Sequence, residues 1–313
     1  MSVLFGHGAF IKCGEEVTWG TGVSPTISNR INSITMSKTQ ERDRKANLSV
    51  PASGMLGEVF DGFLIAEGSM EMPIYYQGQG LWFKLAFGKV TTSGGGPYTH
   101  SFEPEIDLES ATLQVQRGTG ITEQMEEFQG VKVSQLQVSC EAGGEMTASL
   151  DLIGKTSSTR AANITSSFGT GTSVLHFQAG QFSFNGAGYN ARSMTFTLNN
   201  NLERRNVLGS KLTAEQAVAD VREVTLEVTL DILENSLHSA FIAGTQADAS
   251  ISFTSGTNSI TFTVTNALIT SYSDPVNGFG RVEQTMTFTG LADNSNVGGK
   301  IVLVNDDATG IGN

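Results

Sequence analysis

The sequence predicts a mainly β protein built from two tandem β-sandwich or barrel domains, each with one short α-helix and one long loop. Apolar and polar residues alternate over many segments, as they do in half-buried strands. A similar series of segments occurs twice along the 313 residues. Hydrophobic residues make up 39% of the chain and charged residues 16%, which is typical of a folded chain rather than a disordered one.

The repeat begins with an alternating strand that ends in Glu-Arg. "SITMSKTQER" at Ser33–Arg42 is followed later by "SMTFTLNNNLER" at Ser193–Arg204. Beyond it, Ala66–Gly88 matches Arg222–Gly244 without gaps at an offset of 156. These matches predict a tandem duplication with copies at residues 1–155 and 156–313. A single large sandwich with similar strands remains the alternative.

Three further matches occur in the same order in both copies, with offsets that shrink as loops change length. They pair Thr99–Pro104 with Ser250–Ser255, Ala111–Gln116 with Ile260–Thr265, and Gly143–Gly154 with Phe279–Gly290. We therefore expect each copy to have about seven or eight strands in the same order.

The strands have one apolar and one polar face. In "EVTLEVTLDI" the residues Val224, Leu226, Val228, Leu230 and Ile232 alternate with acidic residues and threonines. Such alternation indicates antiparallel strands with one solvated face. The acidic residues on the polar faces are solvated side chains on the simplest interpretation.

One short helix is predicted in each copy. Gly80–Gly88 and Glu234–Gly244 place apolar residues at helical spacing and end in a glycine that suits a C-cap. Each helix would cover one open face of a small sandwich.

A long connection follows the first repeated strand of each copy, at Lys38–Gly62 and at Asn199–Asp220. Connections of this length are usually functional or disordered. We interpret both as arms that dock on a neighbour, with a solvated loop as the alternative. Their mixed charges are Glu41, Arg42, Asp43 and Arg44 in the first arm and Glu203, Arg204 and Arg205 in the second.

Charge and motifs predict neither an enzyme nor a nucleic-acid-binding domain. The net charge is −12, whereas gripping phosphates requires a basic stripe. The four histidines lie far apart, and no nucleophile elbow, P-loop or zinc-ligand spacing occurs. We therefore expect no catalytic residues, no metal and no cofactor.

Two cysteines, Cys13 and Cys140, are too few for a disulfide framework, so we expect reduced thiols and folding in a cytosol. The N-terminus lacks the features of a signal peptide, and no apolar run is long enough for a spanning helix.

The segment "AFIKCGEEVTWGTGVSP" at Ala9–Pro25 resembles the opening of tail tube proteins from long-tailed bacteriophages. The residues that carry the resemblance are Glu16, Thr18, Gly20 and Thr21. The order that follows, a strand pair with a long arm, a helix and closing hairpins, is similar to that family's fold.

The resemblance implies a structural virion protein that forms stacked rings around a DNA channel. Some members form rings of three two-domain subunits, and the duplication fits a homotrimeric ring with pseudo-sixfold symmetry. The implied partners are other copies of the chain, a tape measure protein, and tail terminator and distal tail proteins. DNA would pass without specific binding, no membrane insertion is expected, and assembly would take place in the bacterial host cytoplasm.

The family picture also assigns roles to residues. The acidic polar faces would line the lumen, with candidates Glu67, Glu71, Glu141, Glu145, Asp151, Glu223, Glu227, Asp231 and Glu283. The two arms would bridge stacked rings, and the tail at Asn294–Asn313 would add a strap. The alternatives are a tail terminator or head–tail joining ring and a carbohydrate-binding adhesin.

Overall fold

The computed structural model describes residues 4–45, 58–119, 121–158, 160–168, 174–232, 234–276, 278–293 and 297–309. We call residues 4–168 the first half and residues 174–309 the second half. The strands of the first half are β1 Phe10–Glu15, β2 Ile27–Asn29, β3 Ser33–Ile34, β4 Ser37–Lys45, β5 Glu58–Pro73, β6 Gly88–Gly94, β7 Tyr98–Pro104, β8 Ala111–Gln116, β9 Met125–Glu141, β10 Thr147–Gly154 and β11 Thr156–Ser157. Those of the second half are β12 Gly180–Phe184, β13 Ala187–Tyr189, β14 Ala191–Asn199, β15 Leu202–Arg205, β16 Ala214–Val218, β17 Glu223–Asp231, β18 Gln246–Ser255, β19 Asn258–Ser273, β20 Glu283–Thr289 and β21 Lys300–Asn305.

Two α-helices occur in the described residues, one in each half. They are α1 Gly80–Phe87 and α2 Ser236–Ala243, and a short 3-10 helix spans Phe177–Ala179. Gly88 and Gly244 follow the two helices at φ 98° and 62°, a region that glycine enters without the penalty of a Cβ atom. The mainly β fold and both predicted helices are confirmed, although α2 begins two residues later than expected.

The described residues form eleven strands in the first half and ten in the second, more than the seven or eight predicted for each. Bulges and bends divide the longer alternating segments. Short strands such as β11 and β13 also carry no alternation that a sequence could reveal.

One continuous antiparallel sheet runs through both halves, and we call it the main sheet. It is eight strands wide, because β3 and β4 lie end to end beside β5 and count as one strand. Its order is β3 and β4, then β5, β10, β9, β14, β17, β20 and the C-terminal part of β19. The first half supplies four positions and the second half four. The central neighbours β9 and β14 join the halves over Gln135–Glu141 and Ser193–Asn199.

Each half has an outer sheet that packs on the apolar face of the main sheet. β9 and β19 are long enough to belong to both layers, because each pairs with outer strands at its N-terminal end and with main-sheet strands at its C-terminal end. The first outer sheet is β2, β1, β8, β9 and β11, and the second is β13, β12, β18, β19 and β21.

The pairing corrects two of the predicted strand matches. β8 lies between β1 and β9 as β18 lies between β12 and β19, so Ala111–Gln116 corresponds to β18 and not to Ile260–Thr265. The hairpin β6–β7 has no counterpart among the described strands of the second half. The similarity of "THSFEP" to "SISFTS" therefore reflected alternation alone.

The match of the last hairpins fits the observed bulges, whereas the strand part of the match at offset 156 was wrong by two residues. The register of β9 and β10 shifts between Asp151 and Leu152, and that of β19 and β20 shifts between Thr287 and Phe288, so Leu152 corresponds to Phe288 and Leu150 to Met286. Because Leu150 pairs with Met70 and Met286 pairs with Val228, Met70 corresponds to Val228 and not to Leu226. A shift of two residues keeps every side chain on its face, so alternation could not detect it.

The C-terminal tail joins the halves instead of extending as a strap. Its strand β21 lies between β19 of the second half and β7 of the first. Residues 294–296 and 310–313 of the predicted tail lie outside the described residues.

Aromatic residues dominate the core. Fully buried side chains include Trp82, Phe83, Phe87, Phe102, Phe128, Phe182, Phe196, Phe253, Phe262 and Phe288. Among the described residues, no helix combines the length and apolar character needed to cross a membrane.

Candidate functional site: the acidic sheet face and the two arms

The main sheet has one face turned away from the outer sheets, and this face is polar. Residues directly opposite in antiparallel strands share a face. The register places eight of the nine candidate acidic residues on it. They are Glu67 and Glu71 in β5, Asp151 in β10, Glu141 in β9, Glu223, Glu227 and Asp231 in β17, and Glu283 in β20.

Glu145, the ninth candidate, lies in the turn between β9 and β10 and is exposed at the end of the sheet. It forms an isolated bridge with His176. The predicted polar face therefore ends before this residue.

Three arginines lie close to some of these carboxylates. Arg192 pairs with Glu283 and lies 3.7 Å from Asp231, and Arg281 lies 3.4 Å from Asp231. Arg204 Nε lies 3.6 Å from Glu67 Oε2. The remaining acids on the face have no ion pair with a described residue: Glu71, Glu141, Asp151, Glu223 and Glu227.

Small hydroxyl side chains fill the space between the acids. Thr35 and Ser69 lie 3.0 Å apart, and Thr229 and Thr285 lie 3.1 Å apart, as cross-strand hydroxyl pairs. The face therefore combines negative charge with neutral polar groups and has few cations. It has the chemistry of a surface that repels polyanions.

The described parts of both predicted arms are paired antiparallel strands. Arm 1 is formed by the outer ends of β4 and β5, and arm 2 by β15 and β16. Residues 46–57, the middle of the first predicted arm, lie outside the described residues. The first strands of both arms consist mainly of polar and charged residues, so they lack the alternation of apolar and polar residues that predicts a strand.

Arm 2 docks on the first half of its own chain. The Trp19 indole N–H donates to Gln216 Oε1 at 3.1 Å, and Gln216 Nε2 donates to the carbonyl oxygen of Ile153 at 3.3 Å. Lys132, 5% exposed, pairs with Glu215 at 2.8 Å. Of the predicted charged residues in this arm, Arg204 contacts Glu67, Arg205 lines the adjacent cavity of about 600 Å³, and Glu203 is exposed.

Arm 1 is more open. Glu41, Arg42, Asp43 and Arg44 are all exposed, and Glu41 accepts a hydrogen bond from the Phe63 amide. Lys211 of arm 2 lies 2.8 Å from Asp61, and this hydrogen-bonded cation, with a smaller contribution from Arg42, lowers the Asp61 pKa. Val59 and Phe60 are 60% and 53% exposed, so the arm presents apolar surface.

Glu16 of the N-terminal motif is a structural residue. It is 2% exposed, and its carboxylate accepts hydrogen bonds from the amides of Gly20 and Gly130 at 2.7 and 2.9 Å. The hydroxyls of Ser110 and Thr112 also donate to it, both at 2.8 Å. These bonds fix the loop that carries Trp19, the contact point of arm 2.

The junction between the halves uses residues that sequence reasoning missed. Phe196 of β14 lies opposite Val138 of β9, and both are fully buried. Asn200 Nδ2 donates to the carbonyl oxygen of Ala86 at 2.8 Å, and Arg222 approaches the same end of α1. A single sequence contains no pattern from which one could infer that Asn200 and Arg222 cap a helix of the other half.

The titratable residues that could carry chemistry are dispersed or buried. Cys13 is fully buried and Cys140 is 6% exposed, and burial raises the pKa of both thiols, that of Cys140 to about 11. His100 is buried between Thr92 and Asn305. Within the described ranges no cluster of three potential metal ligands occurs.

A family model matches most of the chain. The model described as "Phage tail tube protein" matches residues 6–290, which include both arms and all but the C-terminal part of the second half. A search of curated proteins found no matching relative. The chain therefore belongs to the phage tail tube protein family.

Proposed function

We propose that three copies of this chain close into a ring whose main sheets join into one barrel, and that these rings stack into a tube that conducts DNA. The proposal treats residues 1–155 and 156–313 as two copies of one module, so that three chains supply six modules. Because β11 still pairs with β9 and the Phe168 ring packs on Phe10 of the first half, we place the module junction after Phe168.

The observation that carries the proposal is the β9–β14 junction. Within one chain it joins two four-stranded units through a fully paired, buried contact between Val138 and Phe196. The main sheet then ends at β3 on one side and at β19 on the other. Open sheet edges of this kind pair readily with further strands.

Residues at the two open edges correspond to the residues of the junction. Ile34 pairs with Met70 as Met194 pairs with Val228, so Ile34 is the counterpart of Met194. Met194 lies opposite Cys140 of β9, and the offset of 136 that superposes the bulges of β9 and β19 makes Val276 the counterpart of Cys140.

Edge pairing between copies would place Ile34 of one chain opposite Val276 of the next. Ile34 is half-buried at the margin of the core, and Val276 is 72% exposed in the single chain. The two helices also differ in how much of their surface is buried in the single chain. Seven of the eight residues of α1 are buried, whereas α2 buries Leu237 alone and leaves Ile242 71% exposed. A neighbouring chain would cover this surface.

The strand count fits a channel for DNA. Three main sheets of eight strands give 24 strands, and a barrel of this size has a backbone diameter of roughly 45–50 Å. Because the outer sheets and helices occupy the apolar face, the polar face would line the channel. Its acidic residues would then repel DNA phosphates over a distance of about 8–10 Å.

Family membership places the protein in the virion tail. We propose assembly in the cytoplasm of the bacterial host, with a tape measure protein and tail terminator and distal tail proteins as partners. DNA would pass without specific binding, since the main-sheet face offers acids and hydroxyls instead of a basic stripe.

A double-cysteine variant tests the ring. Directly opposite residues have Cβ atoms about 4.5–5.5 Å apart, so Ile34→Cys with Val276→Cys should form disulfides between chains. We expect a ladder under denaturing conditions that ends at a covalent trimer. Each single variant is the control and should stay monomeric, because the native thiols are buried.

Negative-stain microscopy of the same preparations separates the alternatives. Tubes support the tail tube, whereas discrete rings that never stack would favour a tail terminator or joining ring. The absence of cross-linked species in assembled material, or a ladder that ends at another number, would contradict the trimeric barrel.

A further inference from the structure

The β9–β14 junction within the chain is held by apolar side chains on the sheet face that the outer sheets cover. Leu198 lies opposite Leu136 in this junction. Phe196 lies opposite Val138, and all four side chains are fully buried. Their counterparts on the two open edges show which residues would meet if a second copy of the chain continued the main sheet.

On the β19 edge, both residues of β9 have polar counterparts. The bulges of β9 and β19 superpose at an offset of 136, which makes Tyr272 the counterpart of Leu136. Asp274 is in the same way the counterpart of Val138. The Tyr272 ring stacks on Phe241 of α2, and its hydroxyl donates to Asp274 Oδ2 at 3.3 Å, so both side chains lie on the covered face. Asp274 is exposed in the single chain and has no ion pair with a described residue.

On the opposite edge, the counterpart of Leu198 is a lysine. Ile34 corresponds to Met194, and β3 and the start of β4 keep one register along β5. Four residues further on, Lys38 therefore corresponds to Leu198. Lys38 Nζ donates to the carbonyl oxygen of Ser157 at 3.0 Å. Because Ser157 lies in β11 of the first outer sheet, Lys38 is also on the covered face, although it is exposed at this edge.

A cation on one edge would therefore meet an acid on the other. The proposed edge pairing places Lys38 of one copy directly opposite Tyr272 of the next. Asp274 then lies at the diagonal position, about 7–8 Å away and within reach of a long side chain. Because an ammonium group has three donors, Lys38 can pair with Asp274 and keep its present hydrogen bond.

These charges stand at positions that are apolar in the junction within the chain. Apolar side chains at an open edge would be exposed before assembly and would favour unspecific pairing, which a lysine on an edge strand opposes. Two β3–β4 edges would bring two lysines together, and two β19 edges would bring two acids together. Only unlike edges attract each other, as the closure of a head-to-tail ring requires.

We propose that Lys38 and Asp274 form an ion pair between neighbouring copies and select the pairing of unlike edges. This inference rests on the proposed ring and deepens it, because it names the side chains that direct the closure of the ring. The junction within the chain is then wholly apolar on its covered face, whereas the junction between chains carries one charge pair there.

Charge reversal and charge exchange test the pair. Lys38→Glu and Asp274→Lys should each raise the protein concentration at half-assembly by at least about tenfold, because like charges would meet in the junction. The double variant Lys38→Glu, Asp274→Lys should return to within about threefold of the parent, since it restores the pair with its signs exchanged. Sedimentation velocity over a series of protein concentrations measures assembly.

The matched control combines Lys38→Glu with Asp306→Lys. It has the same net charge as the exchange variant, but Asp306 is exposed after β21, outside the main sheet, so its lysine should give no recovery. The thermal midpoint of each unassembled variant should match that of the parent, because Lys38 and Asp274 are both exposed in the single chain.

The Ile34→Cys, Val276→Cys background distinguishes the ion pair from the ring. Unaltered assembly of both single reversals, or an exchange variant no better than the control, overturns the ion pair if this background still gives the covalent trimer. Absence of the covalent trimer in this background overturns the ring and the ion pair together.

Discussion

At the scale of single residues, burial decides which charged groups have structural roles. Glu16 and Glu71 are both acidic residues in β-rich segments, yet Glu16 is 2% exposed with four donors around it and Glu71 is exposed on the polar face. The sequence grouped Glu16 with a family motif without showing what it does. Apart from Gly20, its partners lie at the start of β8 and in β9, about one hundred residues away.

Glu16→Gln should reduce the free energy of unfolding by about 2–4 kcal/mol, because an amide group would face donors that now meet a carboxylate oxygen. Urea denaturation followed by tryptophan fluorescence measures the effect. Glu123→Gln, at an exposed loop residue, is the control and should change stability by less than about 0.5 kcal/mol. Equal stability of the two variants would contradict the assigned role of Glu16.

At the scale of elements, the burial of a helix depends on the residues that pack against it. α1 and α2 were predicted from the same spacing and the same terminal glycine, and both form. α1 is buried, and Asn200 and Arg222 of the second half reach its C-terminal carbonyl oxygens, whereas no side chain of a described residue does the same for α2. The two helix ends therefore differ because the end of α1 lies against the other half of the same chain.

Asn200→Ala should destabilise the joined halves by about 2–3 kcal/mol, because the carbonyl oxygens of Ala86 and Val133 lose a buried donor. Thr197→Ala, on the polar face of the same region of β14, is the matched control and should cost less than about 1 kcal/mol. Chemical denaturation measures both variants. A cost for Asn200→Ala no larger than that of the control would show that the cap contributes nothing.

At the scale of the whole molecule, the main sheet collects acids from both halves on one face. Eight residues that are spread over more than two hundred positions lie on it, and five of them have no cation within ion-pair distance among the described residues. A closed barrel would concentrate this charge in the channel, where like charge keeps DNA from adhering.

Reversing the charge of Glu71, Asp151, Glu223 and Glu227 to lysine should make assembled tubes retain short duplex DNA inside the channel. The retained DNA should be protected from added nuclease, and retention should fall steeply with salt. Fluorescence of labelled DNA after nuclease treatment measures it.

The matched control reverses four acids outside the main sheet: Asp107, Glu123, Glu234 and Asp306. Any DNA bound to these tubes should be digested, because it would lie on the outer surface. Equal protection in both variants, or none in the first, would remove the acidic face from the channel.

The sequence by itself determined the strand-rich fold, both helices, the polar face and the family resemblance, because these depend on local periodicity and on a short motif. It also located both arms, although it described them as loops. Its wrong matches, such as Met70 aligned with Leu226, were shifts that preserve alternation and so leave no trace in a pattern of period two.

The tertiary structure alone decided which strands pair across the halves, where arm 2 docks, and which acids have a cation nearby. These features depend on contacts such as Phe196 with Val138 and Gln216 with Trp19, between residues far apart in the chain. A side chain's own strand does not specify what packs against it. Only the closed chain brings such partners together, because hydrogen bonds and apolar contacts act over a few ångströms of space regardless of separation in sequence.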